Sequence, residues 1–372
     1  MTWKEKYGPL LMKVAALVVA AIVGALGSWL GIPPDVVEKI VQSPSLESDA
    51  YIPTTGWIED PTVIEANLDP AITTQFAGTP AGRAVLGDDD VFLWQAVRKV
   101  NNRGPPWYPN VDQKSVGCCV GTGFKHCSDV VQATAILSGA RYEWKPISAE
   151  VIYGGSRVEI GGGRISGDGS IGAWAARWVR EWGMVPMEVH GDIDLSQFSP
   201  SRARDFGRRG VPDPLETLAR EHPVKGTALV KSWTDVKRAV QQGYPVAVCS
   251  NQGFRMDRDR GGWSRPQGRW NHCMAIIGIR SGDREGGFIL NSWGDRAHTG
   301  PVWPDDAPVA GFWAESTVID RMVRQGDSFA LADVHGFPAR KVPDDWFIHA
   351  APRPARRDIF VHLLKPDWSL SP

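Results

Sequence analysis

Three side chains well separated in the chain have the types needed for nucleophilic chemistry: Cys119, His272 and Asn291. Cys119 lies in a small-residue stretch, Val116 to Gly123, that feeds a helical pattern in which Phe124, Cys127, Val131 and Ala135 recur three or four residues apart. That spacing predicts a helix with one buried face, ended by Gly139. Cys119 then stands at the helix N-terminus, where unpaired backbone N–H groups and the macrodipole favour a thiolate over a thiol. His272 heads the β-branched run Met274 to Ile279, and Asn291 closes the apolar run Phe288 to Leu290. A thiol at its ordinary pKa is only partly ionised at neutral pH, so it needs a partner such as an imidazolium, which can also return a proton to a leaving group. A carboxamide oxygen can accept from the other ring N–H and fix the tautomer without adding charge.

With Asn271-His272 and Asn291-Ser292-Trp293-Gly294, and with Gln113 six positions before Cys119, the chain resembles the papain-like cysteine peptidases. The Gln offset and the order Cys, His, Asn are those of that family, and the offset selects Cys119 over Cys118. The strongest signal is Asn-Ser-Trp-Gly after a strand; Gln-x5-Cys or Asn-His alone is weak. The resemblance implies an α+β, two-lobed fold, with a helical lobe carrying Cys119 and an antiparallel β lobe carrying His272 and Asn291. It implies hydrolysis of peptide bonds through an acyl-enzyme, with protein or peptide as substrate and no cofactor. Gln113, with the Cys119 backbone N–H, is expected to stabilise the tetrahedral oxyanion, an effect typically worth about 3 to 4 kcal/mol. By the same resemblance Trp293 shields the His272–Asn291 contact, and Gly167 and Gly169 belong to a glycine-rich strand that pairs with the substrate main chain. A surface loop is the plainer reading of that glycine run.

The pattern also departs from the family. Val120 stands where an aromatic is usual, Cys118 where a serine is usual, and Val116 where a pairing cysteine would be, so the family disulfide should be absent. Gly121 and Gly123 weaken the first helical turn, and a vicinal Cys118–Cys119 disulfide is conceivable on sequence alone. Two other classes of function stay open: a catalytically inactive papain-like module that binds or scaffolds, and a metal site at Cys118, Cys119, His126 and Cys127. The cluster lacks paired C-x2-C geometry, so no metal is expected. Cys127, Cys249 and Cys273 read as buried core.

The elements that must position these residues sit in a chain of 372 residues, 42% hydrophobic and 22% charged, an ordinary globular composition. A formal net charge of −1 gives no electrostatic case for nucleic acid. Lys4, Lys6 and Lys13 precede an uncharged run from Val14 to Ile32, with Asp35 and Glu38 beyond it. Such a run can form a membrane-crossing helix with the bulk of the chain outside the cytoplasm; a cleavable signal ending near Ala25-Leu26-Gly27 is the rival, giving a secreted protein. Residues 1–34 are thus an anchor or signal, 35–105 a linker or pro-segment-like region without sustained periodicity, 106–345 the peptidase-like domain and 346–372 a tail. Within the domain the helical lobe spans about 110–215 and the β lobe about 216–345. A helix capped by Ser170 carries Ile171, Trp174, Ala175, Trp178 and Trp182 on one face, and another starts at Ser232. Strands are expected at Tyr244 to Cys249, Met274 to Ile279, Phe288 to Leu290 and Gly311 to Glu315, and a loop at Arg255 to Arg269.

Overall fold

The computed structural model describes residues 54–101, 108, 110–222 and 224–342. The candidate membrane run 14–32 and the tail from residue 346 lie outside the described residues. Among the described residues no helix is long and apolar enough to cross a membrane. The described residues from Thr54 to Val342 belong to one compact unit, so the boundary expected at residue 105 falls inside it.

In chain order the helices are α1 (Pro61–Leu68), α2 (Trp94–Val100), α3 (Cys119–Leu137), α4 (Ala149–Gly155), α5 (Gly172–Glu181), α6 (Pro200–Arg209), α7 (Asp213–Ala219), α8 (Trp233–Gln241) and α9 (Ser316–Val323). The strands are β1 (Val91–Phe92), β2 (Val189–His190), β3 (Ile193–Asp194), β4 (Gly226–Leu229), β5 (Val246–Phe254), β6 (Pro266–Arg280), β7 (Gly286–Leu290), β8 (Gly311–Glu315) and β9 (Phe329–Ala332). Seven strands form one sheet in the order β4-β9-β5-β6-β7-β8, with β1 also on β6, and every pairing is antiparallel. The mixed helical and antiparallel β architecture is the expected one; only its N-terminal hydrophobic helix lies outside the described residues. The 35–105 region is no loose linker where it is described. Its α1 begins at Asp60, whose carboxylate accepts from Thr62 N and Val63 N at 2.9 and 3.1 Å, and its β1 extends the sheet beside Ile279 and Gly278.

The central helix α3 is buried from Cys119 through Ala135 because α2, α4 and β6 enclose it. Such burial tolerates charge only in pairs: Lys125 and Asp129, both fully buried, meet at 2.6 Å. The helix ends as expected at Gly139 (φ 106°), where Ala140 N returns to Ala135 O and Gly139 N to Ile136 O, a Schellman arrangement. Gly121 and Gly123 weaken the first turn but let it be enclosed. A Cβ on Gly121 would lie 2.6 Å from the Ala149 carbonyl oxygen, and one on Gly123 2.7 Å from Cys273 Sγ.

Two expectations need correction. Ser170 does not cap α5; the Asp327 carboxylate does, accepting from Gly172 N and Ala173 N at 2.7 Å each, while Ser170 Oγ pairs with Ser156 Oγ. The charged Arg255 to Arg269 stretch is not all loop, since β6 starts at Pro266; His272 is therefore within a long strand rather than at its head.

Candidate active site

The site forms where the N-terminus of α3 meets β6 and the turn after β7. Cys119 is the first residue of α3, fully buried, and its thiol lies against the backbone of Cys273, the residue after His272. Cys118 diverges from it, packing with Val116, Tyr153 and Ala203 and approaching Thr122 Oγ1 at 4.0 Å. All five cysteines are free, so no disulfide joins the neighbours. The divergence also denies a metal the joint use of Cys118 and Cys119.

His272 and Asn291 meet as the sequence leads one to expect: His272 Nε2 lies 2.8 Å from Asn291 Oδ1, which also accepts from Ser292 N at 2.7 Å. Because that oxygen can only accept, Nε2 carries the ring hydrogen. Trp293 stacks on the imidazole, ring centroids 4.5 Å apart at 26°, and covers the contact. Gln113, fully buried, is fixed from both ends: its Oε1 accepts from Ser292 Oγ, and its Nε2 donates to Val116 O and Thr54 O, each at 2.9 Å.

The partner of Thr54 O opens the main finding that sequence reasoning missed. Residues 54–58 lie across the site as an extended strap. Thr54 O accepts from Gln113 Nε2 and from Trp293 Nε1, both at 2.9 Å; Gly56 N and Trp57 N donate to Asn271 O at 3.0 and 2.9 Å. On the other side Ser170 N donates to Gly56 O at 2.8 Å and Ile58 N to Ser170 O at 2.9 Å, a parallel bridge between Trp57 and Ser170. No side chain fits at residue 56, where a Cβ would sit 2.0 Å from Gly117 O. The Trp57 indole, 2% exposed, donates to Asp327 at 2.8 Å, and Asn67 Nδ2 reaches the same carboxylate at 3.2 Å. Burial pushes the Asp327 carboxyl up to about 7 against the pull of these donors.

Burial sets the electrostatics of the site. Burial, reinforced by the neighbouring Cys273 thiol, raises the Cys119 pKa well above its ordinary value, although the N–H groups of Cys273 and Gly56 act the other way. Burial also lowers His272 to about 4 despite the bond to Asn291. His272 Nδ1 is buried without a hydrogen-bond partner, so no hydrogen bond joins it to Cys119 Sγ. Beneath the strap, burial thus favours the thiol and the neutral imidazole over the ion pair.

Of the two candidate glycines, Gly169 (φ 114°) adjoins the pairing residue, and a Cβ there would meet Gly56 O at 2.9 Å. Gly167 stands apart, with open space around its Cα and its carbonyl held by Arg157 Nη2 at 2.6 Å. Arg157 is 3% exposed and also binds the carbonyls of Ile165, Gly169 and Gly207. The run read as a possible surface loop is therefore held by one guanidinium. A separate cavity of about 660 Å³, lined by residues such as Gln132, Tyr142, Met184 and Glu221, includes none of the candidate residues.

The chain's fold is that of the papain-like cysteine proteases. The solved structure of xylellain, a cysteine protease from Xylella fastidiosa, is similar over 76% of this chain and 97% of its own, at TM-score 0.51 and 15% identity. Procathepsin L2 from the larval midgut of Tenebrio molitor is similar over 90% of this chain and 94% of its own, at TM-score 0.48 and 14% identity. No protein-family model and no curated protein matches the sequence.

Proposed function

We propose that the chain is a cysteine-type peptidase, latent while residues 54–58 cover its site. The observation that carries this reading is the His272–Asn291 hydrogen bond under Trp293, beside a buried thiol at the start of α3. With the strap withdrawn, water would reach the couple, the desolvation that keeps both groups neutral would fall, and the thiolate–imidazolium pair would become accessible. Cys119 Sγ then attacks the substrate carbonyl carbon, and the carbonyl π electrons move to oxygen, to which Gln113 Nε2 and the Cys119 N–H donate hydrogen bonds. His272 Nδ1–H protonates the amine as the C–N bond breaks, leaving a thioester. Water, losing a proton to His272, releases the carboxylic acid and restores Cys119.

The strap's contacts support latency because they use the groups a substrate carbonyl and main chain would need: Gln113 Nε2, Trp293 Nε1, Asn271 O and the Ser170 backbone. The charge pattern around residues 14–32 supports attachment to a membrane with the peptidase outside the cytoplasm, or secretion if the segment is cleaved. The decisive experiment is turnover of a general protein substrate by the chain with Trp57→Ala, with and without Cys119→Ala. Hydrolysis that Cys119→Ala abolishes supports the peptidase. The second reading, an inactive papain-like binding module, draws on the missing Cys119–His272 hydrogen bond and gains if the opened chain hydrolyses nothing.

A further inference from the structure

A second histidine stands behind the asparagine. His298, 4% exposed, lies in the turn between β7 and β8, and its Nε2 is 3.0 Å from Asn291 Nδ2. An amide nitrogen can only donate, so His298 Nε2 must be the unprotonated nitrogen of a neutral ring. The surroundings hold it so. Burial, with the Arg258 guanidinium adding to it, lowers its pKa to about 3. Its Nδ1 lies against the Met256 carbonyl without closing a full hydrogen bond, and its ring packs 4.8 Å from that of Phe312. The position is itself fixed, because His298 O accepts from Arg258 Nη2 at 3.3 Å and Thr299 N donates to Met256 O at 2.9 Å.

The Asn291 amide can be turned in two ways, and its partners admit one. Its oxygen faces the Ser292 N–H and His272 Nε2; its nitrogen faces His298 Nε2. Were it reversed, the NH2 would point at the Ser292 N–H, and His272 would have to accept at Nε2 and carry its hydrogen on Nδ1. In that tautomer Nδ1 could not take a proton from Cys119.

We propose that His298 is a positioning residue: its unprotonated Nε2 holds the Asn291 amide oxygen towards His272, so that His272 keeps its hydrogen on Nε2 and offers Nδ1 to the thiol. The proposal rests on the cysteine-peptidase reading for its consequence in catalysis, but not for its effect on the His272 tautomer.

The test uses the Trp57→Ala chain, with ring-15N-labelled histidine, alone and with His298→Phe or His298→Gln. Phenylalanine fills the site beside Phe312 but offers no acceptor, whereas glutamine offers an amide oxygen to Asn291 Nδ2. In the His298-intact chain the neutral His272 ring should show only the Nε2–H tautomer. His298→Phe should add the Nδ1–H tautomer and lower kcat about tenfold, with KM little changed, the factor expected on losing one hydrogen bond of ordinary strength. His298→Gln should restore both. An unchanged tautomer in His298→Phe overturns the inference, as does an equal loss in both variants, which marks a merely structural residue. If the His298-intact chain turns over no substrate, the peptidase reading fails, yet the tautomer shift still decides the role of His298.

Discussion

Gly56→Ala should unmask the thiol. The new methyl would have to occupy a point 2.0 Å from Gly117 O and 2.4 Å from Gly117 C, both main-chain atoms that no rotamer change can move away. Reaching ordinary contact requires a main-chain shift of about 1 Å, and overpacking of this kind typically costs about 1 to 3 kcal/mol. The shift falls in the middle of the strap, whose flanking hydrogen bonds to Asn271 O and to Ser170 all run between 2.8 and 3.0 Å and tolerate little displacement. A cost near 3 kcal/mol raises the population with the strap withdrawn roughly a hundredfold, at 1.4 kcal/mol per factor of ten. Alkylation of Cys119 by iodoacetamide, followed by peptide mass mapping at neutral pH, should accelerate by about that factor, provided labelling proceeds from the opened population. Trp57→Ala should act in the same direction, since it empties the space of a 2%-exposed indole and removes its bond to Asp327. Equal alkylation rates for wild type and Gly56→Ala, with the variant still folded, would refute the argument that the strap keeps reagents from the thiol.

Gln113→Ala in an opened chain should lower kcat about 10²- to 10³-fold, as expected for one oxyanion donor, which steady-state kinetics will read directly. Asp327→Asn should destabilise the fold by about 2 kcal/mol, because an amide presents a donor to a site built from N–H groups of Trp57, Asn67, Gly172 and Ala173. Its melting temperature and Cys119 alkylation rate report the two halves of that effect. Acid should weaken the covered state. His272 is lowered to about 4, against about 6.5 when unfolded, so the unfolded chain binds the proton more readily between those values. The stabilisation is complete above pH 6.5 and is lost as pH falls towards 4, by about 3 kcal/mol for this ring. Because the raised Asp327 carboxyl pulls the other way across that window, the readout is the difference: urea midpoints should fall with pH more steeply in the wild type than in His272→Gln.

The catalytic candidates were legible because each is announced locally: Cys119 by a helical repeat, His272 and Asn291 by short apolar runs beside them. Strand β8 and the cap at Ser232 were readable for the same reason, since a short apolar run and a side chain accepting from Asp235 N suffice. What stayed hidden depends on contacts distant in sequence. Asp327 caps α5 from 155 positions away along the chain and seizes Trp57 from 270, so nothing beside Ser170 or Trp57 points to it. The strap lacks a repeating pattern because, apart from the Trp57 indole, it is held through backbone atoms, and the absence of a side chain at Gly56 looks like any loop glycine. Gly121 and Gly123 weaken the first turn as their propensity says, but their use lies in the closeness of Ala149 and Cys273, which helix propensity does not carry. His298 was invisible for a different reason: its signal is a single imidazole seven residues past Asn291, in a turn with no periodicity.

Covalent capture of the thiol tests the central claim most directly. A peptidyl epoxide reactive towards thiolates, incubated with the Gly56→Ala chain and mapped by mass spectrometry, should modify Cys119 in that chain and after a further Cys118→Ala, and should modify nothing after Cys119→Ala. Modification at Cys118, or none at Cys119 in a folded chain with the strap unseated, would contradict the account.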